Sequence, residues 1–237
     1  VEKKLKDLVD RLKAAFGTRL VSAILYGSAA AGDWHETSSD LNVLCVLTCV
    51  TPLELGESEP IFRWWREQGS PPPLLMSAEE VRSSTDCFPM EFADMQAHRR
   101  VLAGVDVLDG LEIDRSYYRA QVEHELRAKQ LRLRQKAAEQ LSKPEPLLKL
   151  LTESVSTFCV LGRHALILGG HAAHWKKRDI VHALGQVLST PLSGFNGVLD
   201  ARASGKLPAQ TSAVLLFEKY LGEIDALVNY VDGLDKS

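Results

Sequence analysis

Apolar residues at Leu5, Leu8, Val9, Leu12, Ala15 and Phe16 recur at three- and four-residue spacing and stop at Gly17, which predicts an amphipathic helix over residues 2–16. Val21–Tyr26 is a short apolar run closed by Gly27, and residues 40–50 form a second run rich in Val, Leu and Cys. Both are too short and too β-branched for helices and are read as buried strands. The thirteen-residue stretch between them, Gly-Ser-Ala-Ala-Ala-Gly-Asp-Trp-His-Glu-Thr-Ser-Ser, reads as a turn, a short helix and a loop. Pro52, Gly56, Pro60 and Gly69 bracket a predicted helix over Ile61–Gln68. Pro71-Pro72-Pro73 then forbids helix and leads extended chain into a short strand at Leu74–Met76. Ser77 with Glu80 three residues on marks a helix start. Phe88, Met90 and Phe92 alternate with Glu91 in the manner of a half-buried strand, and a helix is expected from Met95 to Leu102 with its end at Gly104.

From about Ile113 the period changes to that of helices. Long helices are predicted through Val122, Leu126, Leu133 and Ala137, and over Leu147–Leu168, with two more over 178–188 and 211–232. The last two are separated by a loop holding Pro191, Gly194, Gly197, Gly205 and Pro208. The expected fold class is an α/β (α+β) domain with a mixed sheet over residues 1–112, followed by an all-α helical bundle over 113–237.

The 237 residues, 45% hydrophobic and 25% charged, leave room for two such domains. A net charge of -3 gives no global electrostatic case for nucleic acid or an anionic membrane, so any basic site must be local. Cys45, Cys49, Cys87 and Cys159 lack CxxC spacing and are expected to be buried reduced thiols. There is no apolar leader at the start and no run of roughly 18 apolar residues, so a cytoplasmic protein without a membrane partner is expected.

The chemistry concentrates around Gly27 and Asp40. On a strand, residues i and i+2 share a face, so Asp40 and Asn42 project together while Leu41 and Val43 face away. A strand ending in Tyr26-Gly27-Ser28 and opening a helix of small residues offers backbone N–H groups and a hydroxyl to an anion, and Gly27 admits a phosphate close to the backbone. A phosphate cradle beside side-chain oxygens that can hold Mg²⁺ is what metal-assisted nucleotidyl transfer needs.

Gly27-Ser28-xxx-Gly32 followed by Ser39-Asp40-Leu41-Asn42 closely resembles the signature of the DNA polymerase beta-like nucleotidyltransferase superfamily, in which Gly-Ser precedes Asp-x-Asp or Asp-x-Glu by about ten residues. That superfamily includes aminoglycoside nucleotidyltransferases and minimal nucleotidyltransferases. The resemblance is strong over residues 21–47, and the helical second half matches the family only in layout. It implies that Gly27, Ser28 and Ser39 hold a nucleotide and that Asp40 and the residue at 42 hold Mg²⁺. A third carboxylate on a later strand acts as metal ligand or general base in the family. Glu91 matches that role on its predicted strand, with Asp94 as the second candidate. Basic residues of the helical domain neutralise the triphosphate in related transferases, which makes Lys129, or an arginine of the same run, the candidate here. The implied activity is transfer of a nucleoside monophosphate from NTP to a hydroxyl of a small-molecule or protein acceptor.

The main departure is Asn42. Its neutral amide replaces the second carboxylate, and a hard cation draws most of its binding from charged oxygen, so a weakened Mg²⁺ site is expected. Two readings stay open: slow transfer through Asp40 and Glu91, or a catalytically inactive nucleotide-binding or partner-binding module of the same fold.

Other features have plainer explanations. The run Arg115, Arg119, Arg127, Lys129, Arg132, Arg134 and Lys136 reads first as solvated helix surface. His171 and His174 lack a third metal ligand nearby, and Arg119 with His124 matches the Arg–His spacing of helical toxin partners only by chance. Trp64-Trp65 is expected to pack rather than to stack a base.

Overall fold

The structure is a computed structural model that describes residues 1–30, 41–207 and 211–234. It divides into two compact units, Val1–Ser116 and Tyr117–Ser237. Among the described residues no helix is long and apolar enough to cross a membrane.

Unit 1 runs α1 (Glu2–Phe16), β1 (Leu20–Tyr26), a 3₁₀ turn (Gly27–Ala29), β2 (Asn42–Leu47), α2 (Pro52–Glu67), β3 (Leu74–Ser77), α3 (Ala78–Ser83), α4 (Pro89–Ala97) and β4 (Arg99–Gly104). The strands form a mixed sheet in the order β3-β2-β1-β4, with β1 antiparallel to both β2 and β4, and β2 parallel to β3. Residues of α1 and α2 cover one face, where Leu5, Leu8, Leu12 and Trp65 meet Ala23, Leu25, Val43 and Cys45. On the other face Val81, Phe92, Met95 and Leu108 pack on Ile24, Leu44 and Val46. Coverage of both faces is why Val43–Leu47 is apolar without alternation.

Three sequence expectations in this unit give way. Helix α2 begins nine residues before Ile61, because Thr51 and Glu54 close a capping box that starts the helix at Pro52. Pro60 is accommodated inside it, where burial of Ile61 and Trp65 on the sheet offsets the lost backbone donor. Residues 88–92 are not a strand. Pro89 occupies the first turn of α4, the Phe92 amide donates to the Phe88 carbonyl at 3.0 Å, and Met90, Phe92 and Met95 are buried while Phe88 is half exposed. The expected helix over Met95–Leu102 ends at Ala97, and Arg99–Gly104 is the edge strand β4. Gly104, at φ 77°, closes that strand so tightly that a Cβ there would sit 2.0 Å from the Val21 carbonyl oxygen.

Unit 2 contains α5 (Tyr118–Ala138), α6 (Pro144–Leu168), α7 (Lys177–Val187), α8 (Ser193–Ser204) and α9 (Ala213–Gly233). Helix α8 replaces the expected glycine-rich loop. Its N-terminus has no cap of its own; the Glu223 carboxylate on α9 accepts from the backbone amides of Gly194 at 2.7 Å and Phe195 at 2.8 Å. Gly194 lets the helices meet, since a Cβ there would lie 2.5 Å from the Tyr220 backbone nitrogen. Burial outweighs these hydrogen bonds and leaves the Glu223 pKa raised. Cys45 and Cys159 are buried free thiols as expected, but Cys49 and Cys87 are exposed.

Candidate active site

The site is built where β1 ends. Tyr26 is the last strand residue and Gly27, at φ 78°, turns the chain into the 3₁₀ segment, closed by donation from the Ala30 amide to the Gly27 carbonyl at 3.0 Å. The Gly27 amide donates to the His98 carbonyl at 3.3 Å, which ties the turn to the start of β4. Two facts select glycine here. The backbone is left-handed, and a Cβ would point at the Asn42 side-chain amide, 3.4 Å away. The open side of Gly27 therefore faces Asn42.

Strand pairing fixes a row across the sheet. Tyr26 pairs with Asn42 on one side and with Arg99 on the other, and directly opposed residues project on the same face. Asn42, Tyr26 and Arg99 thus stand side by side on the face that α4 covers, with Tyr26 packed against the core cluster that includes Ile24, Phe92 and Met95. Burial raises the Tyr26 phenol above its ordinary pKa, and the nearby negative charge of Glu91 adds to the shift. The phenol therefore stays protonated, a donor rather than a base.

Glu91 comes to this place from a helix and not from a strand. It is exposed in the first turn of α4, and Asp94 lies one turn further along. Neither β3, Leu-Leu-Met-Ser, nor β4, Arg-Arg-Val-Leu-Ala-Gly, contains an acidic residue. The Ser28 side chain and residues Gly32, Ser39 and Asp40 lie outside the described residues. Among those described, the expected metal donors thus reduce to the neutral Asn42 amide and the Glu91 carboxylate. No group of three His, Cys, Asp or Glu there could hold a metal ion. Such a donor set fits a divalent cation poorly.

Arg99 has no counterpart in the sequence reading. Its Nε donates to both Asp106 oxygens at 2.8 and 3.1 Å, one Nη donates to the Gln96 carbonyl at 2.5 Å, and the other reaches Asp109 at 3.3 Å. Three of its five N–H donors are so engaged and its charge is balanced by Asp106 and Asp109, so it ties down the loop after β4. Nothing in the local sequence singles out Arg99 over Arg100, because its acidic partners follow in irregular chain.

Lys129 lies on α5 in unit 2, exposed and paired with Glu125 at 3.2 Å. The basic run around it is largely neutralised: Arg119 and Arg127 both reach Glu123 at 2.8 Å, and Arg134 reaches Asp225 at 2.7 Å. Trp65 is fully buried, and Trp64 carries the Arg11 guanidinium over its ring at 4.2 Å. These aromatics pack the domain.

No family model and no curated protein matches the chain by sequence. Among solved structures, the chain is similar to the spectinomycin adenyltransferase AAD(9) from Enterococcus faecialis, crystallised with ATP and spectinomycin. The TM-score is 0.63 at 14% identity, over 98% of this chain and 99% of that one. The likeness shows the fold: a nucleotidyltransferase-type mixed sheet followed by a helical region.

Proposed function

We propose that the chain is a nucleotidyltransferase-type protein. It holds a nucleoside triphosphate at the Gly27-Ser28 turn and transfers its nucleoside monophosphate to a hydroxyl of a small-molecule or protein acceptor with release of pyrophosphate, at a rate limited by Asn42. The observation that carries this reading is the strand-end turn itself. Gly27 has a left-handed backbone and no side chain, and its open face is bordered by the Asn42 amide, an arrangement that admits a phosphate oxygen to backbone N–H groups. The fold shared with a protein crystallised with ATP and a small molecule supports nucleotide and small-molecule partners, while the identity of the acceptor is not carried over.

In this reading Gly27, Ser28 and Ser39 bind the nucleotide, with Lys129 the candidate to balance its charge, and Glu91 draws the acceptor hydroxyl's proton. Asp40, Asn42 and Glu91 would hold Mg²⁺, which supplies charge neutralisation on the polyphosphate. With an amide at position 42 the ion is weakly held. One observation favours a second reading, an inactive nucleotide-binding module: neither β3 nor β4 bears a carboxylate, and the β4 side of the Tyr26 row carries Arg99.

Titration calorimetry with ATP, CTP, GTP and UTP, each with and without Mg²⁺, separates the two. Binding strengthened by Mg²⁺ supports the transferase, metal-independent binding supports the module, and no binding to any nucleotide overturns both. Asn42→Asp is expected to tighten Mg²⁺-dependent nucleotide binding by about tenfold or more, a gain of about 1.4 kcal/mol. An unchanged Mg²⁺ dependence in that variant would remove position 42 from the metal site.

A further inference from the structure

We propose that unit 1 associates with a second copy of itself through the open edge of β4 and the flank of α1, joining two four-stranded sheets into one. Strand β4 is an edge of the sheet. Beside it runs a groove of about 420 Å³ whose walls include Glu2, Lys6, Asp10 and Lys13 of α1 and Arg100 and Val101 of β4. Val101 is 38% exposed there. The four α1 residues fall within about 80° of the helix circumference, one stripe along the groove. Glu2 is held by Arg100 at 2.9 Å. Lys6, Asp10 and Lys13 make no ion pair among the described residues, in a molecule whose other helices pair many of their surface charges. Charges, prolines and bulges commonly guard a strand edge, and β4 carries one register shift; a stripe of charges of one sign would also repel a second copy. This stripe alternates in sign instead.

The alternation is self-complementary, as a two-fold contact requires. When α1 lies antiparallel to α1 of a second copy about an axis near Leu8, Glu2 faces Lys13 and Lys6 faces Asp10, to within one residue. The sheet sets the same axis independently. Helix α1 contacts both β1 and β4, so it sits over the boundary between them. Antiparallel pairing of β4 with its copy would place the two α1 helices two strand spacings apart, about 9.6 Å, inside the range of about 8–10 Å for packed helices. The levels agree as well. Arg100 fixes the height of Glu2, and the axis near Leu8 lies about 9 Å further along α1, which at about 3.3 Å per strand residue is the level of Leu102 or Ala103. The register shift between Val101 and Ala103 leaves Leu102 and Ala103 on one face, so pairing Leu102 with Ala103 of the second copy keeps opposed residues on one face and sets Arg100 opposite Val105, so arginines do not oppose each other. Backbone hydrogen bonds along the edge would supply affinity, and the charge stripe would fix register and orientation.

The test is the mass in solution. Sedimentation equilibrium or light scattering on the full chain is expected to show concentration-dependent conversion from 26.2 kDa to twice that mass. Lys6→Glu and Asp10→Lys each create two like-charge pairs across the axis and are expected to weaken association by about tenfold or more, and the double variant Lys6→Glu/Asp10→Lys to restore it. Both residues are exposed, so the variants should keep the wild-type circular dichroism spectrum; should one fail to fold, the other gives the same reading. A monomer at every concentration overturns the proposal. So does a dimer indifferent to both single reversals, or a double variant no tighter than the singles.

Discussion

A single methyl group at position 27 tests whether an anion approaches the strand-end turn. Alanine at φ 78° pays the left-handed backbone penalty of about 1–2 kcal/mol, reduced by the smaller entropy of the unfolded alanine chain. Contact with the described residues adds little, because among them the new Cβ meets within 4 Å only the Asn42 amide, at an ordinary 3.4 Å. Gly27→Ala should therefore cost about 1 kcal/mol, a fall in the Tm of unit 1 of about 4 °C, and leave the fold intact. Nucleotide affinity should respond far more. The methyl would stand between the turn's N–H groups and a phosphate that must come within hydrogen-bonding distance of about 2.9 Å, so binding should weaken by about tenfold or more. Thermal unfolding and calorimetry on one preparation separate the effects. A variant that melts lower by the stated amount yet binds NTP with wild-type affinity would refute the placement of the phosphate against Gly27.

Two further predictions concern stability. Gly194→Ala in α8 and Gly222→Ala in α9 should have opposite signs. Both gain helix propensity of about 1 kcal/mol, but the first drives a Cβ into the Tyr220 and Lys219 backbone, at 2.5–2.8 Å, for a net loss of about 1–3 kcal/mol, whereas the second meets nothing within 4 Å among the described residues. Denaturant melts showing both variants stabilised would refute the close α8–α9 approach. Glu54 should make unit 1 acid-sensitive. Hydrogen bonds from Thr51 and Arg19 lower its pKa from the usual 4.5 to about 2. A depressed carboxyl stabilises the fold above its unfolded pKa, and that contribution is lost as pH falls from about 4.5 toward about 2. Melting curves of Glu54→Gln should lack this part of the acid dependence; a variant tracking wild type through the window would show that the Arg19–Glu54 contact does not contribute.

What the sequence made legible follows from which signals were local. Strands β1 and β2 could be read because burial on both faces leaves a continuous apolar run, and Gly27 could be read because it follows one. The period of α4 could not: Phe88, Met90 and Phe92 satisfy strand alternation over five residues, and only Met95 and Pro89 favour the helix. Helix α8 was hidden by Gly194 and Gly197, the first of which is there for close packing on α9, and its cap comes from Glu223, 29 residues after Gly194.

The site repeats this division. Asn42 and Gly27 are strand-end neighbours, and their juxtaposition follows from the hairpin-like pairing of β1 with β2. Glu91 was expected on a strand, projecting from the opposite side to Phe92; instead α4 buries Phe92 against the sheet and leaves Glu91 at its exposed first turn, near enough for its charge to act on Tyr26. Arg99 was invisible because its role is set by Asp106 and Asp109 in irregular chain. The row so formed carries an amide, a protonated phenol and a balanced guanidinium, and no net negative charge. On the reading proposed above, attraction for a cation at this end of the sheet must then come from Glu91 and from Asp40, beyond a neutral row. Restoring one acid within the row at position 42 should therefore change metal affinity more than any change at the exposed Glu91, whose charge is screened by water.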